Sequence, residues 1–237
     1  MINYKSLIFF SLMSLFLVVS FWFSHEKNSQ RKNDEIAIYF TDSQLFFDPS
    51  LVNKLLTQKS EAGSAFRKDS LDLNMLENQL KSVPEVKNAE AYFLPEGSLS
   101  VELTERNPLF KAGYNSTFYV DQEGKLFGTK ILDKENYPVF ISSIQTISIK
   151  TTAELIESLL EDTFIASELK EVSFENNNYW LNLKSYPFEI QLGKPTEIKE
   201  KIEKLKVFCA FQKLQDTLNG YKKINLSYKN QVVASTF

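Results

Sequence analysis

Few side chains in this sequence are of the types that catalyse reactions through a nucleophile or a metal. Its 237 residues include one histidine, His25, and one cysteine, Cys209. A histidine cluster for a metal therefore cannot form, nor can a disulfide within the chain, and a Ser-His or Cys-His nucleophile would have to use His25. His25 borders a hydrophobic segment, which favours a polar residue at an interface over a base. Carboxylate chemistry is the enzymatic possibility that the 30 acidic residues leave open.

One pair of carboxylates, Asp121 and Glu123, is spaced so that it could act as the two acids of a glycoside hydrolase. The same residues lie in the segment 121–124 (DQEG), between two β-prone stretches. An aspartate in such a segment accepts hydrogen bonds from its own backbone, and Gly124 can take the left-handed conformation of a turn. We therefore interpret the segment as a hairpin turn, and we predict no catalytic residue, no metal and no cofactor.

The composition is that of a folded protein with few arginines. Apolar residues make up 43% and charged residues 24% of the chain, and 27 basic against 30 acidic residues give a net charge of −3. Only Arg31, Arg67 and Arg106 could make the bidentate contacts with phosphate and guanine that nucleic-acid readers use. This balance argues against DNA or RNA binding and against a membrane protein with many spans.

The N-terminal region predicts a membrane-spanning helix over residues 6–24. This stretch has no charged side chain, and as a helix it covers about 28 Å, close to a bilayer core of about 30 Å. A cleaved signal peptide ending near Val18-Val19-Ser20 is the alternative. The aromatic run Phe21-Trp22-Phe23 follows at once and resembles an interfacial belt, which favours an uncleaved anchor. Residues 1–5 would form a short tail and residues 25–35 a polar linker.

The charges beside this helix leave its orientation open. Lys5 precedes it, whereas Lys27, Arg31 and Lys32 follow it. Taken alone, the positive-inside rule places the N-terminus outside. Long domains, however, translocate largely regardless of charge, and about 210 residues follow the helix.

Two α+β units are predicted after the linker. In the first, a strand at Ile36–Phe40 precedes a short helix that Asp48-Pro49 opens. A second helix, capped by Asn74, ends before Pro84, and residues 86–105 alternate as a hairpin. Elements in this order form a small sheet covered on one face by two helices.

The second unit is predicted to be a mixed, mostly antiparallel sheet with helices. A hairpin around Asp121 comes first, and the capping pair Thr151 and Glu154 opens a helix. The longest helix runs from Thr196 to Leu218. The remaining strands are Val172–Phe174, Tyr179–Leu183, Phe188–Leu192, Ile224–Tyr228 and Val232–Ala234.

Several motifs in a fixed order give the chain a resemblance to a known family. Residues 84–89 (PEVKNA), with residues 101–108 (VELTERNP), look like the end of a POTRA domain. Residues 119–127 (YVDQEGKLF), followed by Tyr137-Pro138-Val139, resemble the start of the β domain of the bacterial cell-division family FtsQ (DivIB). Leu192-Gly193-Lys194 before a long charged helix and the terminal pattern of residues 224–228 (INLSY) also fit this family. Phe46-Phe47 and residues 95–99 (PEGSL) are most similar to Bacteroidetes-type members.

This resemblance implies a non-enzymatic, bitopic division protein. It implies a POTRA domain at residues 36–108 and a β domain at residues 109–237. The N-terminus would be cytoplasmic and the C-terminal domains periplasmic, in the inner membrane at the division septum. The partners would be FtsB/DivIC-like and FtsL-like proteins, through which the chain would help to recruit and regulate septal peptidoglycan synthesis.

The first candidate site is the pair of strands that end the chain, because a terminal strand with an open edge can accept a partner strand through its backbone. The resemblance places the FtsB-binding region there, at Tyr228, Asn230, Val232 and Val233. The alternative is an ordinary edge strand in which Tyr228 is a core aromatic.

The second candidate site is the end of the POTRA domain, at Glu105, Arg106 and Pro108, which the resemblance connects with recruitment to the division site. The alternative there is a strand-end ion pair and a proline that ends the sheet. Two other functions also stay open: a POTRA-containing envelope assembly or secretion factor, and a membrane-anchored wall enzyme that uses carboxylates.

Overall fold

The protein is an α+β protein, as the sequence predicts, with five helices and fourteen strands among the residues described in the computed structural model. The described residues are 4–29, 32–33, 36–41, 66–67, 72–95, 98–116, 118–128, 137–142, 147–215 and 220–236. The helices are α1 (Tyr4–Ser29), α2 (Leu73–Lys81), α3 (Ile149–Leu160), α4 (Thr163–Glu168) and α5 (Ile198–Leu214).

The first seven strands are β1 (Lys32–Asn33), β2 (Ile36–Phe40), β3 (Phe66–Arg67), β4 (Val86–Phe93), β5 (Leu99–Glu105), β6 (Pro108–Ala112) and β7 (Phe118–Asp121). The other seven are β8 (Leu126–Gly128), β9 (Val139–Ser142), β10 (Leu169–Glu175), β11 (Asn178–Leu183), β12 (Glu189–Gly193), β13 (Lys223–Asn225) and β14 (Val233–Ser235). The helix predicted after Asp48-Pro49 lies outside the described residues, as do Phe46-Phe47 and Glu96-Gly97 of the family motifs.

Helix α1 contains the apolar N-terminal segment. Its stretch Ile8–Glu26 is long and apolar enough to cross a membrane, by length and composition. The apolar side chains of this stretch are exposed, as expected for a helix whose surface contacts lipid. Its backbone groups bond within the helix, which is what a bilayer requires. The helix continues to Ser29, so it includes the first residues of the predicted linker.

The chain forms two compact units, Met1–Glu105 and Arg106–Phe237. In the first unit β5 is the central strand, with β2 parallel to it on one side and β4 antiparallel on the other. Leu76 and Leu80 of α2 pack on the alternate side chains of β5 that form the core, Leu99, Val101 and Leu103. The predicted hairpin of residues 86–105 is thus confirmed.

The cap of α2 differs from the prediction. Asp72, not Asn74, is the N-cap, because its Oδ1 accepts a hydrogen bond from the Met75 N–H at 3.0 Å. The spacing of Asn74 and Glu77 also predicts a capping box, but Glu77 accepts a hydrogen bond from the Ala91 N–H of β4 at 2.9 Å instead. Glu77 therefore ties the helix to the sheet.

The second unit contains a sheet of nine strands in the order β14-β13-β12-β11-β10-β9-β6-β7-β8. The meander of β10, β11 and β12 is antiparallel, as predicted. Three neighbouring pairs are parallel, namely β12 with β13, β10 with β9, and β6 with β9. Helix α5 makes the crossover between the parallel strands β12 and β13, so it lies beside the end of the sheet that finishes with β14.

Apolar side chains of α3 and α5 form one core with the sheet. Ile156, Ile202 and Leu205 are buried against the row that includes Leu181 and Ile190. Complete burial of one such aliphatic side chain contributes about 1.5–3 kcal/mol. The sequence spaces Ile156 of α3, and Ile202 and Leu205 of α5, for one inward apolar face on each helix, and the structure confirms these faces.

Several boundaries in this unit differ from the predictions. The N-cap of α3 is Ser148, whose Oγ accepts a hydrogen bond from the Thr151 N–H at 3.3 Å, so the predicted cap at Thr151 is wrong. Strands β6 and β9 and helix α4 were not predicted. Strand β13 ends at Asn225, so the predicted strand to Tyr228 is too long.

Candidate functional site

Strand β14 is an open edge of the nine-stranded sheet. It pairs with β13 on one side, with Ala234 opposite Ile224 and Val233 opposite Asn225. No other described strand lies on its second side. The backbone groups on that side are those of an edge strand, which can pair with an added strand.

A groove of about 490 Å³ lies beside this edge, between α5 and the segment that leads into β14. Val207 and Phe211, one turn apart on α5, line the groove and are 69% and 52% exposed. Phe208 and Val232 line it as well and are half-buried. Large apolar side chains left in water on one helix face, next to an open strand, form a surface suited to protein contact.

The loop between β13 and β14 is attached to α5 by one side chain. Lys204 donates from its Nζ to three backbone carbonyl oxygens of the loop, those of Tyr228 at 2.6 Å, Lys229 at 3.3 Å and Leu226 at 3.4 Å. An ammonium has three N–H donors, so these contacts match its full donor capacity. The side chain of Tyr228 is 49% exposed.

Two further contacts define where this loop begins. The Ser227 N–H donates to Oδ1 of Asn225 at 2.8 Å, which closes an Asx turn directly after β13. Gly193, at the end of β12, has a φ of +78°, and a Cβ there would lie 2.5 Å from Oγ of Ser227. Glycine at this position therefore allows the loop to approach β12 closely.

The four residues of the first candidate site lie along this region but not on one strand. Val233 is on β14 and is 41% exposed, whereas Asn230 and Val232 line the groove. Tyr228 lies in the loop and not on a strand, and at 49% exposure it is not a core aromatic. The structure thus brings Asn230 and Val232 together at the groove and places Tyr228 and Val233 on either side of them along the chain.

Two apolar residues of α5 that line the groove, Val207 and Phe211, were not predicted from the sequence. The inward face of the helix is marked by Ile202, Leu205 and Cys209, and Val207 and Phe211 do not fall on it. Val207 and Phe211 are four residues apart, which is the spacing of a second apolar stripe on a helix. The stripe indicates a partner surface only once β14 is known to lie next to it.

The residues of the second candidate site are placed in different settings. Glu105 ends β5 in the first unit and is buried, and Pro108 begins β6 in the second. Arg106 Nη1 lies 2.6 Å from Oδ2 of Asp121, with the two side chains 13% and 6% exposed. The structure therefore shows the strand-end ion pair of Arg106.

Both carboxylate oxygens of Asp121 have partners, in the turn that follows it and in Arg106. Its Oδ1 accepts hydrogen bonds from the N–H groups of Glu123 at 3.0 Å and Lys125 at 2.8 Å, and Gly124 has a φ of +75°. Glu123 is 57% exposed and lies 3.6 Å from Arg106. The turn interpretation of residues 121–124 is confirmed, and these contacts show Asp121 stabilising the hairpin.

The fold and the site together describe an α+β domain that follows an apolar helix and ends in an open edge strand beside an apolar groove. Residues 107–235 match the family described as FtsQ/DivIB, C-terminal related. This match covers more than half of the 237-residue chain. The chain therefore belongs to the FtsQ/DivIB family of cell-division proteins, and its role is in cell division. No curated protein matches the chain.

Proposed function

We propose that this protein is a bitopic, non-enzymatic scaffold of the divisome that binds an FtsB/DivIC-like partner through the β14 edge and the adjacent groove. Through that partner and an FtsL-like protein it helps to recruit and regulate septal peptidoglycan synthesis. The observation that carries the proposal is the open edge of β14 next to exposed Val207 and Phe211.

The chemistry of the occupant follows from the two parts of the surface. An added strand satisfies the backbone groups of β14, and its alternate side chains point to the two faces of the sheet. On the face that α5 covers, apolar side chains of the partner would reach the groove, where Val207 and Phe211 would lose contact with water. The partner segment is thus an extended strand with apolar residues on one face.

The domain organisation is part of the same proposal. Residues 36–108 form a POTRA domain and residues 109–237 form the β domain, with α1 as an anchor in the inner membrane, the N-terminus in the cytoplasm and both domains in the periplasm. Glu105, Arg106 and Pro108 contribute to recruitment at the septum. The parallel pairing of β2 with β5 and the antiparallel pairing of β4 with β5 support a small sheet-and-helix module before the β domain.

The experiment that tests the proposal is co-purification of the full chain with the FtsB/DivIC-like and FtsL-like proteins of the same organism. We compare the wild type with Val232→Glu, which puts a charge into the groove, and with Tyr228→Ala. Leu126→Glu is the matched control, because Leu126 is 44% exposed on β8, the strand at the opposite end of the sheet.

We expect the wild type and Leu126→Glu to retain the partners. Val232→Glu should lose them, because a carboxylate would lose its hydration in an apolar interface, and Tyr228→Ala should bind them more weakly, because it removes an aromatic side chain that is 49% exposed in the adjoining loop. Loss of binding in Leu126→Glu alone would instead assign the interface to the β8 edge. A folded wild type that retains neither partner would reject the proposed scaffold function.

A further inference from the structure

We propose that Lys204 is a positioning residue for partner binding, because it holds the loop of residues 226–231 in the conformation that presents Tyr228 and leads into the open edge. This inference rests on the proposed function of the β14 edge. Lys204 lies on α5 and contacts the backbone of the loop.

The loop has little packing of its own. The side chains of Ser227, Tyr228, Lys229, Asn230 and Gln231 are all exposed, whereas Leu226 just before them is buried. Burial therefore fixes the start of the loop and not its remainder. Polar contacts must fix the conformation of residues 227–231, since five exposed residues in water have many conformations of similar free energy.

The contacts of Lys204 supply that definition. Its Nζ reaches the carbonyl oxygens of Leu226, Tyr228 and Lys229 at 2.6–3.4 Å. Three carbonyl oxygens around one ammonium fix the backbone on both sides of Tyr228, and hydrogen bonds to a charged donor are stronger than neutral ones. The Asx turn at Asn225 and the close approach of Ser227 to Gly193 hold only the first part of the loop.

Lys204 also connects the two parts of the proposed interface. It lines the groove together with Val207 and Phe211 on the same helix, and it holds the loop that continues through Asn230 and Val232. A partner that pairs with β14 and fills the groove would meet a loop already in position. The free energy of binding then includes no cost for ordering that loop.

The test compares three variants of the full chain in lipid nanodiscs. Lys204→Met keeps the aliphatic stem and removes the donors, and Lys204→Arg keeps a charged donor. Lys199→Met is the matched control, because Lys199 is an exposed lysine in the first turn of α5. For each we measure the affinity for the extracytoplasmic segment of the FtsB/DivIC-like protein and the hydrogen exchange of the free chain.

We expect Lys204→Met to bind about tenfold more weakly, as for a loop whose competent conformation is populated about one tenth of the time. Amide exchange should become faster in residues 227–231 and stay unchanged in β10, β11 and β12. Lys204→Arg should bind more tightly than Lys204→Met, and Lys199→Met should bind as the wild type does.

Two results would overturn this inference and leave the proposed function intact. One is wild-type affinity in Lys204→Met. The other is a loss of affinity with faster exchange throughout β10, β11 and β12, which would make Lys204 a residue of general stability. A wild type that does not bind the segment would reject the proposed function itself, and this inference with it.

Discussion

Replacing Asp121 by alanine should strongly destabilise the second unit, because Asp121 satisfies a nearly buried arginine and a turn at once. The substitution removes the 2.6 Å contact with Arg106, whose side chain is 13% exposed, and the acceptor for the N–H groups of Glu123 and Lys125. Removal of one partner from a buried ion pair costs about 3–5 kcal/mol. Glu123, 3.6 Å from Arg106, takes over part of the pairing, so we expect a loss of about 3 kcal/mol in the free energy of unfolding.

The assay is urea unfolding of the full chain in detergent micelles, followed by tryptophan fluorescence. The chain has two tryptophans, Trp22 in α1 and Trp180 in β11, so a Trp22→Phe background makes Trp180 a probe of the second unit alone. With a slope of about 2 kcal/mol per molar urea, the midpoint should fall by about 1.5 M.

Two variants separate the contributions. Asp121→Asn keeps an oxygen acceptor for the turn and loses the charge, so its loss should lie between those of the wild type and Asp121→Ala. Glu123→Ala removes a carboxylate that is 57% exposed and should cost less than about 1 kcal/mol. Equal midpoints for Asp121→Ala and Glu123→Ala would refute this reasoning.

Three further predictions concern buried groups and a glycine. Burial raises the pKa of Glu171, so the contribution of this group to stability is present below the pKa of the unfolded chain and is lost as the pH rises through the raised value. Glu171→Gln should therefore flatten the fall in urea midpoints measured from about pH 4 to about pH 8, the range in which buried carboxyl groups titrate. An unchanged pH profile would contradict this prediction. Burial raises the pKa of the Cys209 thiol to about 12, so a disulfide reagent at neutral pH should label it only after unfolding, and rapid labelling of the folded chain would show that it is accessible. Gly193→Ala should lower the free energy of unfolding by about 1–2 kcal/mol, because the backbone at this position is left-handed, and the clash of the new Cβ with Ser227 adds to that cost. Gly220→Ala is the control, because a Cβ there meets nothing within 4 Å. Equal thermal midpoints for the two variants would reject the argument.

The antiparallel part of the fold could be predicted from the sequence because its turns are local. Asn176 and Asn177 have positive φ values and connect β10 to β11, and asparagine favours that conformation. Strands β6 and β9 could not be predicted in this way. Their parallel partners are distant in sequence, as in the pairing of β9 with β10, and no local turn marks them.

The candidate site could be predicted only in part, for a related reason. An edge strand near Val233 could be predicted, because this apolar segment comes directly after the alternating residues 224–228 and a short polar loop. The end of β13 before Tyr228 depends on the Asx turn of Asn225 and on Lys204, which is 24 residues away. The groove depends on α5 lying beside the segment at Val232, a contact that no local pattern contains.

Hydrogen exchange of the full chain with and without the FtsB/DivIC-like partner tests the central claim most directly. If the partner adds a strand to the open edge, the amides of β14 and of residues 226–232 become protected, and those of β8 at the other end of the sheet do not. Protection of β8, or of neither edge in a complex that has formed, would contradict the claim.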